Sequence, residues 1–101
     1  MKDETKLTHE IISALNQIPG VLCWRRNVGM KGRVRFGKKG QADIEGVVRG
    51  RHLEIEVKID TELSTEQKDW LETMTKFGAL AGMVHSIDEA ISLISLPPPR
   101  P

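Results

Sequence analysis

The chain has 101 residues, 39% of them hydrophobic and 29% charged, which suits one domain around a single aliphatic core. A lone cysteine, Cys23, excludes an internal disulfide framework, and the scattered His9, His52 and His85 exclude a Cys/His zinc site. Net charge is only +1 but segregated: Ile11 to Ala42 holds seven basic and no acidic residues, whereas Asp43 to Pro101 sums to −5.

Leu7, Ile11, Ala14, Leu15 and Ile18 recur at helical spacing until Pro19-Gly20 ends the pattern. Glu4 falls near the centre of that stripe, which turns it toward whatever the helix packs on; it also complements the helix dipole. Val21 to Asn27 reads as a strand leading into a glycine-rich turn. Asn27 to Gly40, basic and interrupted by the extended piece Val34-Arg35-Phe36, fits an extended hairpin or a flexible loop equally well. Asp43 to Arg49 is the next strand, and Arg49-Gly50-Arg51 turns the chain into Leu53 to Ile59.

Ser64-Thr65-Glu66-Gln67 has the form of a capping box. It opens a helix striped by Trp70, Leu71, Met74 and Phe77 and ended by Gly78. Ala79 to His85 reads as a last strand, Ser86-Ile87-Asp88-Glu89 as a second capping box, and Ile91 and Ile94 mark a final helix. Residues 1–95 are therefore expected to form one α/β domain, a small mixed sheet flanked by helices in the order αβββαβα. The proline-rich residues 96–101 are expected to be a flexible tail.

Side chains alternate along a strand, so Glu54, Glu56 and Lys58 share one face while Leu53, Ile55, Val57 and Ile59 share the other. A hairpin would carry Asp43 back to that charged face, opposite Lys58 and one step from Glu56. Two carboxylates beside an ammonium are what metal-assisted phosphodiester hydrolysis needs. The acids hold Mg²⁺, and the lysine orients water and offsets charge on the phosphorane. The basic block nearby suits a polyanionic substrate, although by itself such a run describes a solvated loop.

On these residues the chain resembles the VRR-NUC branch of the PD-(D/E)XK nucleases, whose members share a restriction-endonuclease-like core. The resemblance runs from Glu4 to Ile94. It is carried by Glu4 ahead of Leu7, Ile11 and Leu15, by Trp24-Arg25-Arg26-Asn27, by Gly40-x-x-Asp43 and by Ile55-Glu56-Val57-Lys58. Leu63-Ser64-x-Glu66-Gln67-x-x-Trp70-Leu71, Gly78 and Val84-x-Ser86 complete it. Ala42 stands where the family often has proline.

The resemblance implies that Asp43 and Glu56 hold Mg²⁺ or Mn²⁺, that the Val57 carbonyl completes the coordination, and that Lys58 is the catalytic lysine. Glu4 and Gln67 would be accessory to the metal or to water. It further implies a homodimeric, structure-specific DNA endonuclease akin to the Holliday-junction resolvases, from a bacteriophage. The setting would be the cytoplasm of a bacterium or an infected host cell, with no membrane span.

Each residue also has a plainer role. Alternation in Glu54-Ile55-Glu56-Val57-Lys58 is what a half-exposed strand shows, and Glu54 is assigned to that role. A capping role explains Gln67 as well as a catalytic one, and the helix dipole explains Glu4. Arg25, Arg26, Lys38 and Lys39 are the expected phosphate contacts. Trp24 and Trp70 lie in amphipathic elements and are assigned to the core or a dimer interface rather than to base stacking. The alternatives are a non-catalytic dimer that binds branched DNA, and a restriction-type or RNA-directed nuclease on the same core.

Overall fold

Leu53, Ile55 and Val57 alternate with Glu54 and Glu56 along a strand whose two faces are both buried, and the other elements are arranged around it. The computed structural model describes residues 2–26, 29–31, 34–36 and 40–97. In chain order these form α1 (Lys2–Leu15), β1 (Val21–Arg25), β2 (Gly29–Lys31), β3 (Val34–Phe36), β4 (Ile44–Val48) and β5 (Arg51–Val57). α2 (Thr65–Lys76), β6 (Leu80–Val84) and α3 (Ile87–Ile94) follow.

The main sheet has the order β1-β4-β5-β6. β1, β4 and β5 pair antiparallel, and β6 joins β5 in parallel after the α2 crossover, so the sheet is mixed as expected. β2 and β3 pair separately as a short antiparallel ribbon, which decides in favour of strands for the stretch that the sequence left open. Residues 98–101 of the proline-rich tail lie outside the described residues.

One face of the sheet carries the aliphatic core. Val21, Cys23, Ile44, Val48, Leu53, Ile55, Val57, Leu80 and Val84 meet Ile11 and Leu15 of α1 and Ala90 and Ile94 of α3. Burial within this core pushes the Cys23 thiol pKa up. The outer edge of β1 is closed by a side chain: Asn16 Nδ2 donates to the Cys23 carbonyl at 2.9 Å, and Cys23 N–H donates to Asn16 Oδ1 at 2.8 Å. The amide imitates a neighbouring strand and blunts the edge against pairing with other chains.

α2 lies on the opposite face. Ser64 caps it, its hydroxyl accepting from the Gln67 N–H at 3.1 Å while Gln67 Oε1 accepts from the Ser64 N–H at 2.9 Å, the reciprocal box read from the sequence. The box expected at α3 is modified. Ser86 accepts from the Glu89 N–H at 3.1 Å, but the Glu89 carboxylate reaches past Ser86 to the His85 N–H at 2.8 Å. That bond, first of all, holds the Glu89 carboxyl below its ordinary range.

Candidate active site

Arg49 and Gly50 have φ of 47° and 87°, the conformation of a two-residue type I′ hairpin turn. This turn pairs Val48 with Arg51 and Ile44 with Ile55. One step further along the ladder, Asp43 stands opposite Glu56 rather than opposite Lys58 as the sequence reading placed it. The turn falls on Arg49-Gly50 alone, which moves the register by two residues from the expected pairing, and a shift of two keeps every side chain on its face. The correction therefore moves the two acids closer together.

Asp43 is held from both sides. Arg26 N–H donates to its carbonyl at 2.7 Å, extending the β1–β4 ladder, and Val57 N–H donates to its Oδ2 at 3.0 Å. Glu56 Oε2 accepts from Gln67 Nε2 at 3.0 Å and lies 3.7 Å from Lys58 Nζ. Glu56 Oε1 is buried with no hydrogen-bond partner among the described residues. Its neighbour Asp43 is a second carboxyl group. Two such groups satisfy one another only by sharing a proton or a cation.

The electrostatics express that conflict. Burial, followed by the charge and hydrogen bonding of Asp43, pushes the Glu56 carboxyl up to about 8, and Lys58 only partly opposes the shift. At neutral pH the pair without a cation therefore favours retaining a proton. A divalent ion resolves the same conflict with both groups ionised, and an oxygen pair of this kind suits Mg²⁺ or Mn²⁺. Asp43 and Glu56 are thus the donors that could hold such an ion, as a pair and not within a cluster of three or more His, Cys, Asp or Glu among the described residues.

Beside this pair lies a second, fully buried acid. Glu54 has no exposed surface. Arg26 binds it with two hydrogen bonds, Nη1 to Oε1 at 2.8 Å and Nη2 to Oε2 at 2.7 Å. Trp70 Nε1 donates to Oε1 at 2.7 Å, and His52 Nε2 makes a short contact with Oε2. Arg26 Nη2 also pairs with Glu45 at 2.5 Å, and the guanidinium carbon lies 5.8 Å from the Trp70 ring centre. This bond from Arg26, more than any other cause, holds the Glu45 carboxyl below its usual range.

Glu54 and Glu56 are two apart on β5, and Trp70 and Gln67 are three apart on α2. The helix is thus fastened to the strand by two neighbouring hydrogen bonds, Trp70 to Glu54 and Gln67 to Glu56.

Asp43, Glu56, Lys58 and Gln67 meet as expected, with Val57 between the acid and the lysine. Glu4 comes from α1 and accepts from the Ile59 N–H at 3.2 Å, with the Thr61 hydroxyl at 3.5 Å. Among the described residues it does not join Asp43 and Glu56 in a cluster of three potential ligands. Arg25 is exposed at the end of β1. Arg26 corrects the sequence reading: its side chain is 7% exposed and turned inward onto Glu54 and Glu45, so it is occupied in the fold. Lys38 and Lys39 lie outside the described residues.

Trp70 packs inside the Glu54 network, whereas Trp24 stands largely outside the core, which leaves only the interface half of its expected role open. Glu54 was missed as more than a polar outer-face residue. Its pairing with Glu45 across the hairpin, around the Arg26 guanidinium, follows only from the corrected register. No protein-family model matches this chain, and no curated protein matches it.

Proposed function

We propose that this protein is a Mg²⁺- or Mn²⁺-dependent endonuclease that hydrolyses phosphodiester bonds in branched DNA, such as a four-way junction. The observation that carries this reading is the pairing of Asp43 with Glu56, one oxygen of Glu56 buried and unsatisfied, beside the Lys58 ammonium. The order of helices and main-sheet strands supports a restriction-endonuclease-like core. The resemblance of the motifs to the VRR-NUC nucleases supplies the substrate class.

Asp43 and Glu56 would hold the ion, with the Val57 carbonyl as a further oxygen. When bound, the ion would polarise the scissile phosphate and lower the pKa of water beside it. Lys58 places a positive charge next to the carboxylate pair, where it counters the charge that builds on the phosphorane and favours hydroxide. Gln67 holds Glu56 Oε2 through its Nε2 and so leaves the other oxygen for the ion. Glu4 braces the chain just after Lys58 through the Ile59 N–H. Two protomers about a two-fold axis would address symmetric strands of a junction, the arrangement that paired nicking requires.

The test is Mg²⁺-dependent nicking of a four-way junction, a flap, a linear duplex and RNA of matched length. Asp43→Ala and Lys58→Ala are expected to abolish it, and the junction to be cut ahead of the duplex. Cutting that survives both substitutions removes this site from the reaction. Binding of the junction with no cutting by the wild type would leave a non-catalytic DNA-binding protein.

A further inference from the structure

α2 covers the β5–β6 half of its sheet face and leaves the β1–β4 half uncovered. There Leu22 and Val47, partners across the ladder, are 62% and 39% exposed, and Trp24 beside them is 43% exposed. The indole is not loose. Its Nε1 donates to Glu45 Oε2 at 3.0 Å, and Glu45 is itself anchored by Arg26 at 2.5 Å. The polar edge of the ring is tied down while much of its surface remains open to solvent.

Position argues for the occupant. Trp24 pairs with Glu45, which is two residues from Asp43, so the ring lies about 7 Å along the strands from the carboxylate pair. A strand that delivers a phosphate to Asp43 and Glu56 brings a neighbouring nucleotide over Trp24. Arg25, next in the chain, is exposed at the same end of the sheet and supplies positive charge there. A second copy of this chain is a poorer fit, because three side chains fall far short of the roughly 800 Å² per partner that a stable protein interface buries.

We propose that Trp24 is a stacking platform for an unpaired base of the nucleic-acid strand being cut, with Leu22 and Val47 as its apolar margin. The proposal rests on the nuclease reading of Asp43 and Glu56. A base inside a duplex offers only its edges, whereas an unpaired base at a branch, flap or frayed end offers a full face. The platform therefore selects strands that are open next to the cut. It does so without reading sequence, since every base has a face to stack.

The test uses the full chain in EDTA, so that binding is seen without cutting. A labelled oligothymidine and a duplex of equal length are titrated by fluorescence anisotropy at fixed salt, with tryptophan emission followed alongside. The single strand is expected to quench the emission and to bind more tightly than the duplex. Trp24→Ala is expected to weaken single-strand binding about tenfold, as loss of one base–aromatic stack does, and to change duplex binding far less. Trp24→Phe, which keeps a ring, is expected to retain most of the affinity, and circular dichroism checks the fold of each variant.

Absence of quenching, or equal losses on both nucleic acids, overturns the proposal. So does conversion of a dimer to a monomer by Trp24→Ala in sedimentation, which would make the patch an interface between copies. Asp43-dependent nicking together with Trp24-independent binding sinks the platform alone. Trp24-dependent binding without any nicking keeps Trp24 as a base-stacking contact and sinks the nuclease assignment, and with it the cut strand as the occupant.

Discussion

Gln67 donates from Nε2 to Glu56 Oε2 at 3.0 Å while its Oε1 accepts the Ser64 N–H at 2.9 Å. One amide thus closes the first turn of α2 and reaches the carboxylate pair, so the cap and the contact with Glu56, alternatives in the sequence, occur together. They make opposite demands: the cap needs an acceptor, and Glu56 needs a donor.

Substitution separates the two. Gln67→Glu keeps an acceptor for the cap but loses the donor and adds a third carboxylate beside Asp43 and Glu56. Gln67→Ala loses both contacts. The alanine variant is expected to cost at least about 1 kcal/mol, the usual value of a lost cap, at both pH 5 and pH 8. The glutamate variant is expected to be close to wild type at pH 5 and clearly less stable at pH 8. Thermal unfolding at the two pH values checks this, and a pH-independent loss in the glutamate variant would refute it.

The raised Glu56 carboxyl gives the cation-free protein a pH-dependent stability. Its ordinary value is 4.5 and its folded value about 8, so folding favours the protonated form. The stabilisation is complete below 4.5 and is lost as pH rises to about 8. Glu45 and Glu89 are lowered and work the other way, losing their contribution only as pH falls below their ordinary value of 4.5, outside that window. The melting midpoint in EDTA is expected to fall between these pH limits, and Glu56→Gln to flatten the slope. Bound at Asp43 and Glu56, Mg²⁺ would displace the retained proton, so it is expected to raise the midpoint more at pH 8 than at pH 5. A Mg²⁺ shift equal at both pH values would show that the ion binds elsewhere.

Elements closed by near neighbours were legible in the sequence. Ser64 to Gln67 and Arg49-Gly50 declare a cap and a turn within a few residues, and the alternation from Leu53 to Lys58 declares which side chains share a face. Asp43 and Glu56 could therefore be paired from sequence, although the position of the turn set the register two residues away from expectation. Arg26 was not legible. Its partner Glu54 is 28 residues away, and the contact depends on β1 lying beside β4 rather than on any local pattern. The exposure of Trp24 likewise depends on how far α2 extends across the sheet, which amphipathicity does not encode.

Arg26 and Glu54 yield a prediction that distinguishes a fold role from DNA contact. Both side chains are buried, and removing one leaves the other charge uncompensated. Arg26→Ala and Glu54→Ala are each expected to cost about 3–5 kcal/mol, whereas Arg25→Ala, at an exposed position, is expected to leave stability within about 0.5 kcal/mol. Urea unfolding gives these values. If Arg26→Ala weakened DNA binding without lowering stability, the inward pairing would not describe the protein in solution.

Two glycines test how the sheet and α2 are brought to the site. A Cβ on Gly46 would stand 2.3 Å from the Leu22 carbonyl oxygen and 2.7 Å from the Cys23 Cα. Both obstacles are backbone, so Gly46→Ala must push β1 away from β4 and break the ladder that ends in Arg26 and Asp43. It is expected to lower global stability by at least about 1–3 kcal/mol, the range for overpacking. Gly40 differs: its φ is +88°, and a Cβ there would meet the Glu66 carbonyl oxygen at 2.6 Å, in the first turn of α2 beside Gln67. Gly40→Ala is expected to lift that turn from Glu56, lowering Mg²⁺-dependent cutting more than the melting midpoint. Hydrogen exchange locates each effect. Gly46→Ala should speed exchange across β1 and β4, and Gly40→Ala chiefly at the N–H groups of Gln67 and Lys68. The opposite distribution would mean that Gly40, three residues before Asp43, supports the sheet rather than the approach of α2 to the carboxylate pair.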